Sequence, residues 1–75
     1  MTVSEIITID KDILGGIPVF KNTRVPLQNL FDYLEAGDSL DDFLEDFDYI
    51  PRVDCIEILK ASEKLLEKSM HENLN

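Results

Sequence analysis

The hydrophobic pattern of this chain changes period at Pro26, and that change limits what it can fold into more than any other feature. Downstream, Leu27, Leu30, Phe31 and Leu34 recur at i, i+3, i+4 and i+7, which places them along one side of an α-helix. Leu40, Phe43, Leu44 and Phe47 repeat the spacing with Asp41, Asp42, Glu45 and Asp46 between them, so a second helix is apolar on one side and acidic on the other. A third stripe runs through Cys55, Ile58, Leu59, Ser62, Leu65 and Leu66, with Ile56 lying off it. The punctuation agrees: Pro26 and Pro51 suit helix starts, Gly37 a stop and Ser39 an N-cap. The spacing predicts helices over about 27–36, 39–47 and 51–68, and a tail, 69–75, that frays for want of a cap.

Upstream of Pro26 the chain reads differently. Ile6-Ile7-Thr8-Ile9 is a β-branched run that predicts a strand, and Gly15 and Gly16 allow backbone angles that other residues resist. Val19-Phe20 and Thr23-Arg24-Val25 flank Lys21-Asn22, and asparagine enters the left-handed region readily, so a tight hairpin is expected there. The predicted fold is mainly α: a three-helix, helix-turn-helix-like bundle with a short N-terminal β-strand or hairpin arm over about 6–25, forming a single domain over 1–75. A domain of this size buries only roughly 60% of its extended-chain surface, which makes self-association a natural source of further stability.

The composition excludes most chemistry. One cysteine, Cys55, cannot form an internal disulfide, and with the single His71 it cannot complete a zinc site. Cys55 sits on an apolar stripe with no base beside it, so it reads as a small core residue. Gly15-Gly16-Ile17-Pro18 lacks the lysine and hydroxyl of a phosphate-binding loop, and the carboxylates of the second helix lie on a convex face instead of converging on a cation. No catalytic, cofactor-binding or metal-ligating residue is therefore assigned, and the chain is not expected to be an enzyme. The N-terminus lacks a basic segment followed by an apolar one, and no apolar run approaches the roughly 18 residues that would cross a bilayer, so a reducing cytoplasm is expected and no membrane association.

Sixteen acidic against seven basic residues give a net charge of −9, which repels phosphate backbones and favours a basic protein surface as partner. Lys21, Arg24 and Arg52 form at most a thin nucleic-acid footprint. Arg24 can bind an anion bidentately, but an ion pair within the chain, with Asp10 or Asp12, is the preferred reading.

The run Ile13-Leu14-Gly15-Gly16-Ile17-Pro18-Val19-Phe20-Lys21-Asn22-Thr23-Arg24-Val25-Pro26 resembles the signature of the small bacterial proteins called domain of unknown function 433, matching at Gly16, Pro18, Thr23, Arg24 and Pro26. Ala36-Gly37-Asp38-Ser39-Leu40, leading into an acidic helix, is similar to the same family, so the likeness covers about residues 6 to 66. Asn22 stands where the family usually has glycine, and the third helix is heavier and more charged than usual. The resemblance implies a structural role for Gly15, Gly16, Pro18, Thr23, Arg24 and Pro26. It further implies a VapB-type antitoxin that neutralises a PIN-like ribonuclease toxin and co-represses its operon. On that reading a homodimer forms through the β arm, at Ile7, Ile9, Val19, Phe20 and Val25. The toxin meets Leu65, Leu66, Met70 and Leu74, and DNA is bound only in the complex. The alternative is a helix-turn-helix DNA-binding regulator acting without a toxin, presenting Asp54, Glu57, Lys60 and Glu63 to the groove, a largely acidic set that counts against it.

Overall fold

Each helix forms where its periodicity and caps coincide. The computed structural model describes residues 2–74, with side chains through Glu72. Its elements are α1 (Val3–Ile6), β1 (Ile7–Thr8), a 3-10 turn (Leu14–Gly16), β2 (Val19–Phe20), α2 (Leu27–Glu35), α3 (Leu40–Asp46) and α4 (Arg52–Leu74). The fold is mainly helical, with a two-stranded antiparallel arm before the three principal helices, as the sequence predicts. The one-turn α1 was not expected; its start is held by Glu5, whose Oε1 accepts from the Thr2 backbone nitrogen at 3.3 Å and from its hydroxyl at 3.0 Å. Those bonds hold the Glu5 carboxyl below its ordinary value, the backbone donor contributing most.

The signature segment ties the arm to α2. A turn over Phe20–Thr23 puts Asn22 in the left-handed region at φ 64°, which asparagine tolerates in place of glycine. Thr23 closes that turn: its hydroxyl donates to the Phe20 carbonyl at 2.7 Å and accepts from the Val25 nitrogen at 3.0 Å. The returning chain pairs with β2, Phe20 nitrogen donating to the Val25 carbonyl at 3.0 Å and Leu27 nitrogen to the Pro18 carbonyl at 2.9 Å. On its other side β2 pairs with β1, with Ile7 opposite Phe20 and Thr8 opposite Val19. Gly15 and Gly16, at φ 71° and 94°, turn the chain between the strands in a conformation that a β-carbon disfavours.

α3 begins with a reciprocal capping box: Asp42 nitrogen donates to Ser39 Oγ at 3.0 Å, and Ser39 nitrogen to Asp42 Oδ2 at 2.9 Å. Gly37, at φ 91°, supplies the reversal between α2 and α3. The core gathers Ile6, Phe20, Val25, Leu30, Phe43, Ile50, Cys55 and Ile58. Phe43 is its centre, with ring centroids 4.9 Å from Phe47, 5.4 Å from Tyr33 and 6.0 Å from Phe20.

α4 departs from expectation at its far end. It does not stop near residue 68 but continues to Leu74, so the segment expected to fray is helical over 69–74. Its 23 residues make a rod about 34 Å long at about 1.5 Å per residue. Only the first half is packed: Cys55 and Ile58 are buried and Leu59 and Ala61 half-buried, whereas every residue from Ser62 to Glu72 is exposed. Ser62, Leu65 and Leu66 were expected in the core stripe. They are outside it because the body of the domain ends before the stripe does.

Candidate functional site

Two surfaces stand out once the core is removed from consideration: an acidic pole on α2 and α3, and an apolar face shared by α2 and α4. The pole follows from a gap in the basic residues, none of which occurs between Arg24 and Arg52. Within that gap lie Asp32, Glu35, Asp38, Asp41, Asp42, Glu45, Asp46 and Asp48, all eight exposed. The eight carry −8 of the total −9, leaving −1 for the rest of the chain.

Half of these carboxylates are engaged within the fold. Asp41 pairs with Arg52, tying α3 to the start of α4. Asp42 completes the capping box, Asp32 accepts from Gln28 Nε2 at 3.0 Å, and Asp46 accepts from the Tyr33 hydroxyl at 2.5 Å. That last bond holds the Tyr33 phenol above its ordinary value, with desolvation and the Asp46 charge acting in the same direction. Among the described residues Glu35, Asp38, Glu45 and Asp48 have no side-chain hydrogen-bond or ion-pair partner. Their charge is available to whatever approaches. No group of residues able to hold a metal ion occurs among the described residues.

The apolar face begins at an open groove of about 460 Å³ lined by Ile17, Pro18, Pro26, Leu27, Gln28 and Phe31. Leu27 and Phe31 also line a second hollow, with Val3, Ile58, Ala61 and Leu65, so the apolar surface runs from the 3-10 turn across α2 to the middle of α4. It continues along α4 through Leu65, Leu66 and Met70, which are 69%, 63% and 56% exposed. The side chain of Leu74, expected beside them, lies outside the described residues.

The arm residues expected to join two copies are placed elsewhere. Val19, Phe20 and Val25 are buried in the chain's own core and Ile7 packs against it, because the small domain needs them internally. Only Ile9, 70% exposed, is free to meet another molecule. Nor do the three candidate phosphate contacts act together as a site: Arg52 is paired with Asp41, and Lys21 and Arg24 are simply exposed. The expected pair of Arg24 with Asp10 or Asp12 does not form among the described residues; Asp10 instead accepts from the Asp12 nitrogen at 2.9 Å. Asp54 and Glu57 are half-buried, which further reduces what α4 could offer to a DNA groove.

Sequence reasoning located the acidic helix but missed Asp32 and Glu35 as parts of the same pole. The uninterrupted absence of Lys and Arg from 25 to 51 was the signal available. It also missed the groove, since Leu27 and Phe31 have the spacing of core residues and only the end of the domain leaves them half-covered.

The family model for proteins of unknown function, DUF433, matches residues 7–60, covering the arm, α2, α3 and the packed half of α4. The chain belongs to the DUF433 family. The family match ends before the projecting half of α4 begins. A similar protein is "Uncharacterized protein y4eO" of Sinorhizobium fredii, 41% identical over 58 residues, which are 77% of this chain and 25% of that one. The chain thus spans about a quarter of the curated relative it matches. No solved structure matches it. No helix among the described residues is long and apolar enough to cross a membrane.

Proposed function

We propose that the chain is a non-catalytic binding module whose acidic pole docks a basic protein, in the manner of an antitoxin covering a ribonuclease. The observation that carries this reading is the segregation of charge: −8 on residues 32–48 against −1 on all the others. A single-signed patch of this strength raises the rate of encounter with an oppositely charged partner and repels phosphate backbones. A nucleic-acid-cleaving partner needs a basic surface to hold its substrate, and an acidic cover competes for that surface directly. Operon repression would then require the partner to supply the positive charge for DNA. The DNA-binding alternative gains nothing from the surface, because α3, the first helix of its reading unit, is the acidic one.

The test is purification of the tagged chain from its native host at low ionic strength. A basic protein is expected to co-elute, to be released by salt, and to bind weakly to the Glu45→Lys/Asp48→Lys variant. A partner that is acidic, or one retained unchanged by that variant and at high salt, rules the reading out.

A further inference from the structure

We infer that the chain forms a reversed dimer in which the projecting half of each α4 lies in the apolar groove of the other copy. Successive helical residues are about 100° apart, so Leu65, Ser69, Ser62 and Leu66 fall on the same face as Cys55, Ile58 and Leu59. In the first half of α4 that face is covered by the chain's own body; beyond Ser62 it is bare.

This geometry selects how a second copy can approach. A parallel partner, facing the bare half from in front, would carry its own body into the space already filled by the first. A reversed partner avoids the collision and sets its body against the bare helix. The surface it presents there is the groove at Ile17, Pro18, Leu27 and Phe31, which borders α4 through Val3 and Leu65. Both contacts are made twice under one two-fold axis, so the interface is closed and self-limiting.

Charge is compatible with self-association at this place and not at the pole. The projecting half carries Glu63, Lys64, Glu67, Lys68 and Glu72, and Lys60 immediately before them brings the segment to zero net charge. The groove is apolar apart from the neutral Gln28. Asp41 ties the α3 part of the acidic pole to the Arg52 end of α4, the end opposite the projecting half, while Asp32, bonded to Gln28, is the pole's carboxylate at the groove's edge. A stable dimer needs about 800 Å² from each copy, roughly 15% of the 5406 Å² surface, so the contact must take in the bare face of α4 and the groove together.

Sedimentation equilibrium on the full chain should give twice the monomer mass. Leu66→Glu/Met70→Glu, both at exposed positions, should halve that mass while leaving the cooperative thermal unfolding of the packed core in place, and Ile17→Glu in the groove should do the same from the other side of the contact. A chain carrying Ile17→Cys and Met70→Cys should form a disulfide between copies on mild oxidation. Cys55 will not compete, being fully buried. A wild-type chain that stays monomeric overturns the inference. So does a dimer that survives both the helix and the groove substitutions, or a dimer in which the two introduced cysteines fail to join.

Discussion

Reversing one charge at each end of α3 should move stability in opposite directions, although both changes alter net charge by the same +2. Glu45 lies in the last turn of the seven-residue helix, exposed and without a partner, where a negative charge opposes the helix dipole. Lysine there replaces an unfavourable interaction with a favourable one, and at about 0.3–1 kcal/mol for a charge near a helix end the gain is about 1 kcal/mol. Asp41 lies in the first turn, where its charge is favourable, and it also pairs with Arg52. Lysine there loses the dipole term, loses an exposed pair worth about 0–1 kcal/mol, and sets two cations side by side, for a loss of about 1–2 kcal/mol. In a domain of this size 1 kcal/mol shifts the melting temperature by about 4–8 °C, so the two variants should melt at least about 8 °C apart. Thermal denaturation followed by circular dichroism at low ionic strength measures this, and 1 M salt should remove most of the difference. The competing account is that the acidic pole destabilises the chain by self-repulsion, in which case either reversal stabilises. Two variants shifted upward together would refute the positional argument.

Phe43→Ala should cost about 3–5 kcal/mol and leave the chain largely unfolded, since the ring is fully buried between three others and a small domain has little stability to lose; urea titration decides it. Thr23→Val should cost about 1–2 kcal/mol by leaving the Val25 nitrogen without its acceptor, whereas Arg24→Ala should stay within about 0.5 kcal/mol, a contrast that the same titration resolves. Burial, reinforced by Asp54, pushes the Cys55 thiol from 9.0 up to about 11, and Tyr33 is raised above 10.0. Both groups hold their protons more tightly folded than unfolded; the Cys55 contribution is complete below about pH 9 and is lost as pH rises through about 11, the Tyr33 contribution is lost in the same direction, and a falling melting temperature is the readout. Alkylation of Cys55 should be slow in the native chain at pH 8 and immediate in denaturant.

The helices were legible because spacing and caps repeat one message: Leu30 and Phe43 fall at the centre of their stripes and are the most buried residues of α2 and α3. The arm was legible in its turns, through Asn22 and the paired glycines, but not in its purpose. β-branched residues at Val19 and Val25 suit a strand edge and a core equally, and only the shortage of other core material makes them internal. In α4 the periodicity of Ser62, Leu65 and Leu66 is genuine, yet a pattern of side chains does not state where the body opposite them ends. The candidate surfaces depend on that boundary. The acidic pole was partly visible as composition, and became a surface only when α2 and α3 were set side by side with Tyr33 reaching across to Asp46.

Because α4 is a single unbroken helix, its two halves share one ladder of backbone hydrogen bonds while differing in what supports them. Amide exchange should be slowest around Cys55 and Ile58 and quicken steadily toward Glu72, a gradient along one element instead of a boundary between two. An isolated helical half of that length is marginal in water, so each turn near the end opens independently of the core. Anything that covers the bare face would steepen protection there and return part of the gain to the packed turns through the continuous backbone. The midpoint of unfolding then ceases to belong to one molecule and rises with protein concentration, so that dilution alone loosens the chain.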